Sequence, residues 1–291
     1  MQARFADANP ELPNGFAEHG SMGAEAMLAL GLAPDAVVAW AARHEPVALA
    51  ADAPVAVLRR ALEADLARQP WQEVVRRELA DLAPFVGAHL FHGLIRTAHA
   101  VRGLRGSGGE GGLAGAAGLD DETGLAELAS GLAAWRTWSA AQGPSAGGRP
   151  QRRTDPFETV IDAARRGAGA CATAPSIVNL HAVTGPMAFL LLADLLDDRT
   201  IAAAAAAFEH THAHHGEPGS SERSVPPPPA ALAALLERWD AHPAKLTEAA
   251  VRGFALTGDG TFLDAAAAIM GPWPTTMSPG STPPSSPPGS V

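Results

Sequence analysis

Apolar positions recur every three or four residues through most of the chain, the spacing that lines one face of an α-helix. Residues 21–32 (SMGAEAMLALGL) open on a capping-box-like Ser21, which predicts a helix closed by Gly31. Residues 35–44 and 54–68 predict two more, parted by a proline-containing turn. Another starts at Trp71 and breaks or kinks at Pro84. Residues 85–105 (FVGAHLFHGLIRTAHAVRGLR) predict one continuous apolar helix with three histidines. Helices are also expected over 122–141, 199–209, 230–253 and 260–270, and two apolar helical stretches over 176–197, divided at Gly185-Pro186. The Gly-rich stretch 106–118 and the Pro/Gly/Arg stretch 142–156 read as loops, and 210–229 as a polar insert ending in four prolines. From Trp273 on, Pro, Ser, Thr and Gly predominate, which predicts a disordered tail. The expected architecture is all-α: a single large helical domain over 1–272 and a tail over 273–291.

Composition supports that class. Hydrophobic residues make up 47% of the 291, with Ala, the best helix former, dominant and Tyr absent. Sparse Val and Ile argue against an extensive sheet. The net charge of -10, with Arg mixed among acids, leaves no basic patch to neutralise phosphates, so no nucleic-acid partner is expected. No apolar run reads as long enough for a membrane span, and the first residues lack the basic-then-apolar pattern of a signal peptide. The single cysteine, Cys171, excludes an internal disulfide, reads as a small buried residue and fits a reducing, cytoplasmic setting.

One count redirects attention. Of the 21 Lys and Arg, a single residue is lysine, Lys245. It lies three positions after His242, on the same face of a helix whose first turn would hold Pro243. Such a pair is ordinarily a surface feature. A desolvated amine with a lowered pKa, or a carbamate formed with carbon dioxide, is the chemical alternative.

The histidines supply the other candidates. At about 100° per residue His92 and His99, seven apart, lie within roughly 20° on one helix face, with His89 on its flank. Imidazoles on an apolar helix are costly to bury without partners. Each alone reads as a satisfied core histidine; together they suggest a metal, a substrate or a carboxylate. His181 precedes Gly185-Pro186, where a helix end could face a cavity. His19 stands just ahead of a helix and by itself reads as an exposed loop residue. The run HTHAHHG at 210–216 reads as a solvated loop, and GSGGEG at 106–111 lacks the strand–turn–helix setting of a dinucleotide fingerprint.

These segments resemble the questin oxidase family. The matching stretches are His19-Gly20-Ser21-Met22 with Glu25-Ala26, His92-Gly93-Leu94-Ile95-Arg96 with His99-Ala100-Val101-Arg102, His181-Ala182-Val183-Thr184-Gly185-Pro186, and His242 with Lys245-Leu246-Thr247. The resemblance spans about residues 14–270. Glu18 stands where the family often has Asn, and Pro243 is inserted ahead of the lysine. The resemblance implies a helical fold and oxidative ring opening of an anthraquinone-type polycyclic aromatic by dioxygen. The cofactors that the resemblance implies are non-haem iron or NADPH.

The expectation is therefore an oxygen-dependent oxidoreductase with a central His-lined pocket. His19, His92, His181 and His242 are the expected metal ligands, His99 an alternate to His92 or a catalytic group, and Lys245 a fifth ligand or acid/base. Iron is favoured because imidazole sites with open positions activate oxygen, whereas zinc has no redox chemistry. Arg96 and Arg102 are expected in surface ion pairs, with orientation of a phenolate or carboxylate as the alternative. Competing readings are a helical small-molecule binding protein without metal, and an inert relative whose histidines are structural.

Overall fold

The computed structural model describes Phe5 and residues 8–11, 17–105, 121–144, 155–219 and 221–271. Its helices are α1 (Gly20–Ala29), α2 (Pro34–Ala42), α3 (Pro54–Leu66), α4 (Trp71–Leu82), α5 (His92–Leu104), α6 (Asp121–Gln142), α7 (Pro156–Thr173), α8 (Ile177–Leu190), α9 (Asp198–Thr211), α10 (Pro229–Ala233), α11 (His242–Thr257) and α12 (Thr261–Met270). Two isolated bridges, Ala8 with Ala48 and Glu11 with Ala17, are the extent of β pairing among the described residues. The fold is all-α, as the periodicity predicts. The Gly-rich stretch 106–118 and the tail from 273 lie outside the described residues.

Local chemistry sets the ends. Pro34, Pro54, Pro156 and Pro229 open helices, where a missing N–H costs nothing. Ser176 and Asp197 accept from the backbone N–H groups of Asn179 and Thr200 at 3.1 and 2.8 Å. Gly31, at φ 81°, follows α1 as expected.

Four segments depart from the sequence reading. The helix expected over 85–105 begins only at His92; before it His89, Leu90 and Phe91 are all left-handed, at φ 47, 53 and 64°. Gln142 Oε1 accepts from His89 N–H at 2.9 Å and holds this turn. The helix expected over 230–253 is two, because the chain breaks between α10 with its 3-10 extension (Ala234–Glu237) and α11. There the Arg238 carbonyl is taken by Trp40 Nε1 at 2.7 Å. Helix α7 is not among the elements expected from the sequence, although its buried residues, Val160, Ile161, Ala163, Ala164, Gly167, Ala168 and Cys171, recur at helical spacing; all after Ile161 are small.

The fourth departure is at Pro186, which α8 runs straight through. Proline lacks the N–H that would bond the Ala182 carbonyl four residues back. That carbonyl instead accepts from His212 Nε2 at 2.8 Å. His212 is fully buried, so the run at 210–216 is not wholly solvated. Ile177–Leu195 also proves long and apolar enough to cross a membrane by length and composition, at mean hydropathy 1.4, although 67% of it is buried in the fold.

Helices α1, α5, α8 and α11 form a ring in which each packs on the next. Three apolar clusters surround it: α3–α6 with part of α9, α7 with α8, α11 and α12, and α1 with α2 and residues 235–244. Close approach at the ring needs glycine at Gly185, where a Cβ would lie 2.5 Å from the Phe91 ring.

Candidate metal centre

Each helix of the ring carries one histidine to a common interior point. His19 is the N-cap of α1, His92 and His242 are the first residues of α5 and α11, and His181 is the fifth of α8. One nitrogen from each of the four lies within 4.8 Å of those of the others. The Nε2 atoms of His19 and His92 are 2.7 Å apart. His92, His181 and His242 are buried, and His19 keeps partial exposure.

The outer nitrogens are anchored. His92 Nδ1–H donates to the His89 carbonyl at 2.5 Å, His181 Nδ1–H to the Ile177 carbonyl at 2.7 Å, and His242 Nδ1–H to Asp240 Oδ1 at 2.6 Å. The left-handed turn at 89–91 thus has a local use, since it aims the His89 carbonyl at His92. With Nδ1 holding the proton, Nε2 presents a lone pair inward, which is how metal-bound imidazoles are oriented. Nε2 of His181 and of His242 are buried and have no hydrogen-bond partner. Orphaned buried acceptors of this kind are rare. The donor set fits a divalent transition metal.

Lys245, one turn beyond His242, is 1% exposed, and its Nζ has no hydrogen-bond partner. Burial lowers its pKa from 10.5 to about 7, against the opposing pull of Asp240 and Glu18. Burial also holds His19, His92 and His181 well below the ordinary histidine range, and the neighbouring cation and imidazoles push the same way. His242 is lowered by burial too, with Asp240 opposing. The imidazoles are therefore neutral at physiological pH, the form that binds metal.

Three of the four ring helices, α1, α5 and α11, begin at their cluster histidine, so their N-terminal, electropositive ends lie at this point. That field favours an anionic ligand beside the metal.

The sequence leaves open which of His89, His92 and His99 faces inward. His92 joins the cluster. His89 stacks on Trp138 with ring centroids 4.2 Å apart, and His99 bonds the Glu25 carboxylate through Nδ1. His19, expected exposed if it stood alone, is a member of the cluster, and the His242–Lys245 pair is buried rather than on the surface. Arg96 and Arg102 are likewise not surface ion pairs: Arg96 pairs with buried Glu127 at 3.1 Å, and Arg102 with buried Glu25 and Glu248. Cys171 is fully buried as expected.

Two residues went unrecognised as parts of the site. Asp240 accepts from both the ring and the backbone N–H of His242, a role signalled only by Asp two positions before a His-Pro helix start. Glu18 Oε1 accepts from Gly20 N–H at 2.5 Å and so anchors the start of α1, while its Oε2 is buried without a partner. Burial raises the Glu18 pKa, with Arg96 opposing.

Comparison with known protein families, with curated proteins and with solved structures finds no match.

Proposed function

We propose that the chain is an oxygen-dependent oxidoreductase similar to the questin oxidases, with a metal ion held by His19, His92, His181 and His242. The observation that carries this reading is the convergence of four imidazoles, three with Nδ1 anchored outward, around buried unpartnered nitrogens. Iron is the ion proposed, because bound iron supplies the redox chemistry that dioxygen requires and zinc does not. Fewer than six protein ligands leave positions for small molecules.

The chain's own groups have distinct tasks in this reading. The neutral histidines bind without first losing protons. Lys245, with a pKa near neutrality, accepts or returns a proton inside the site, or serves as a fifth ligand. Reaction of that amine with carbon dioxide, releasing one proton, would convert it to an anionic carbamate; intact-mass analysis under non-denaturing conditions detects the adduct. The converging helix N-termini favour the phenolate of a hydroxylated polycyclic aromatic, the substrate class proposed.

The test is oxygen uptake with a hydroxyanthraquinone, with and without NADPH, on iron-loaded protein and on His181→Ala. Substrate-dependent uptake that His181→Ala abolishes supports the oxidase. Tight binding of the anthraquinone with no uptake would support the alternative, a non-catalytic helical binding protein with a His-lined pocket.

A further inference from the structure

One layer away from the histidines lies a second polar cluster that the proposed chemistry does not use. Arg102 Nε donates to Glu25 Oε1 at 2.6 Å, and its two terminal nitrogens reach Glu25 Oε2 and Glu248 Oε1. His99 Nδ1 closes on the same Glu25 carboxylate. Arg252 Nε donates to Glu248 Oε1 at 2.9 Å, and its Nη1 to the Met187 carbonyl at 2.5 Å. Two arginines face two glutamates, so the charge balances. Both glutamates and His99 are buried.

The placement of these partners is regular. Glu25 lies six residues after His19, Met187 six after His181, Glu248 six after His242, and His99 seven after His92. Each step is nearly two helical turns, about 9–10.5 Å along the axis. The cluster therefore ties together the four ligand-bearing helices at one level, immediately beyond the level of the imidazoles. Apolar packing is nondirectional and leaves helices free to slide by fractions of a turn. Forked, charge-assisted hydrogen bonds at fixed geometry do not.

We infer that the Glu25–His99–Arg102–Glu248–Arg252 cluster is the registration device of the metal centre, fixing the axial offsets of α1, α5, α8 and α11 so that the four imidazoles meet. Its members are positioning residues and touch neither ion nor substrate. The inference rests on the metal reading above and extends it to residues outside the ligand set.

Cobalt(II) is the probe, because its visible absorption bands report coordination geometry independently of any activity. The proteins compared are the full-length chain, Glu25→Gln, Arg102→Lys and a control, Glu78→Gln. Glu78 is buried and paired with the more exposed Arg136 and Arg77, so Glu78→Gln removes a buried charge that links α4 to α6 without touching the ring cluster. Glu25→Gln and Arg102→Lys should weaken cobalt binding by about tenfold or more and shift its bands. Glu78→Gln should lower the melting temperature yet bind cobalt as the wild type does. Circular dichroism establishes folding; should Glu25→Gln fail to fold, Arg102→Lys, which keeps the charge and loses only the fork, decides. Folded variants with wild-type affinity and spectrum overturn the inference alone. Equal weakening in Glu78→Gln overturns it as well, since general destabilisation then accounts for the effect. A wild type that takes up no cobalt removes the metal reading and this inference with it.

Discussion

The carbonyl of Ala182 accepts from Nε2 of His212 at 2.8 Å, filling the vacancy that Pro186 leaves in the backbone ladder of α8. A proline is thus accommodated inside the helix that carries His181, and a histidine that reads in sequence as part of a solvated loop proves structural. His212→Ala should cost roughly 2–4 kcal/mol, from an unsatisfied buried carbonyl and a cavity. Pro186→Ala restores an N–H for that carbonyl, so the double variant should recover part of the loss. Urea denaturation of the four proteins in this cycle measures the coupling.

Lys245 makes the stability of the metal-free protein depend on pH. Its pKa is about 7 in the fold and near 10.5 in the unfolded chain, so the unfolded state binds more protons between those values. Stability should therefore rise as pH increases from about 7 to about 10.5, and the full penalty should apply below 7. The groups facing the amine are the four cluster histidines, held neutral, with Glu18 and Asp240 as the opposing acids. Lys245→Met should flatten this slope and stabilise the metal-free protein by several kcal/mol, since each pKa unit corresponds to about 1.4 kcal/mol. Thermal melts across that pH range provide the check; an unchanged slope contradicts it.

Asp240 offers a separable test of ligand orientation. Its side chain is 61% exposed, so truncation leaves no buried cavity. Asp240→Ala should leave the fold intact and weaken metal binding by about 10–100-fold, because His242 loses the acceptor that fixes its tautomer and ring plane. Competition against a chelator of known affinity gives the value.

The helical class and most helix positions were legible because large apolar residues recur at helical spacing. The ligand histidines were legible only in part from the residues themselves: His92 and His181 are polar rings in apolar surroundings, and a lone lysine among 20 arginines draws attention to neighbouring His242, whereas His19 joins the set only through the family resemblance. What stayed hidden depends on tertiary partners. No local signal marks the left-handed turn at His89–Phe91, which is held by Gln142 from another helix. Pro186 reads as a helix break until His212 is seen beneath it. The buried face of α7 keeps helical spacing, but beyond Val160 and Ile161 it is built of Ala, Gly and Cys, so it stands out less than a stripe of large apolar residues. Arg102 reads as a surface charge because its glutamate partners are 77 and 146 positions away.

X-ray absorption at the iron edge, on protein loaded anaerobically with ferrous iron, tests the central claim most directly. The spectrum should require four imidazole nitrogens at about 2.0–2.2 Å, and His181→Ala should remove one of them. Iron that is not retained, or is held by fewer than three imidazoles, would contradict the account.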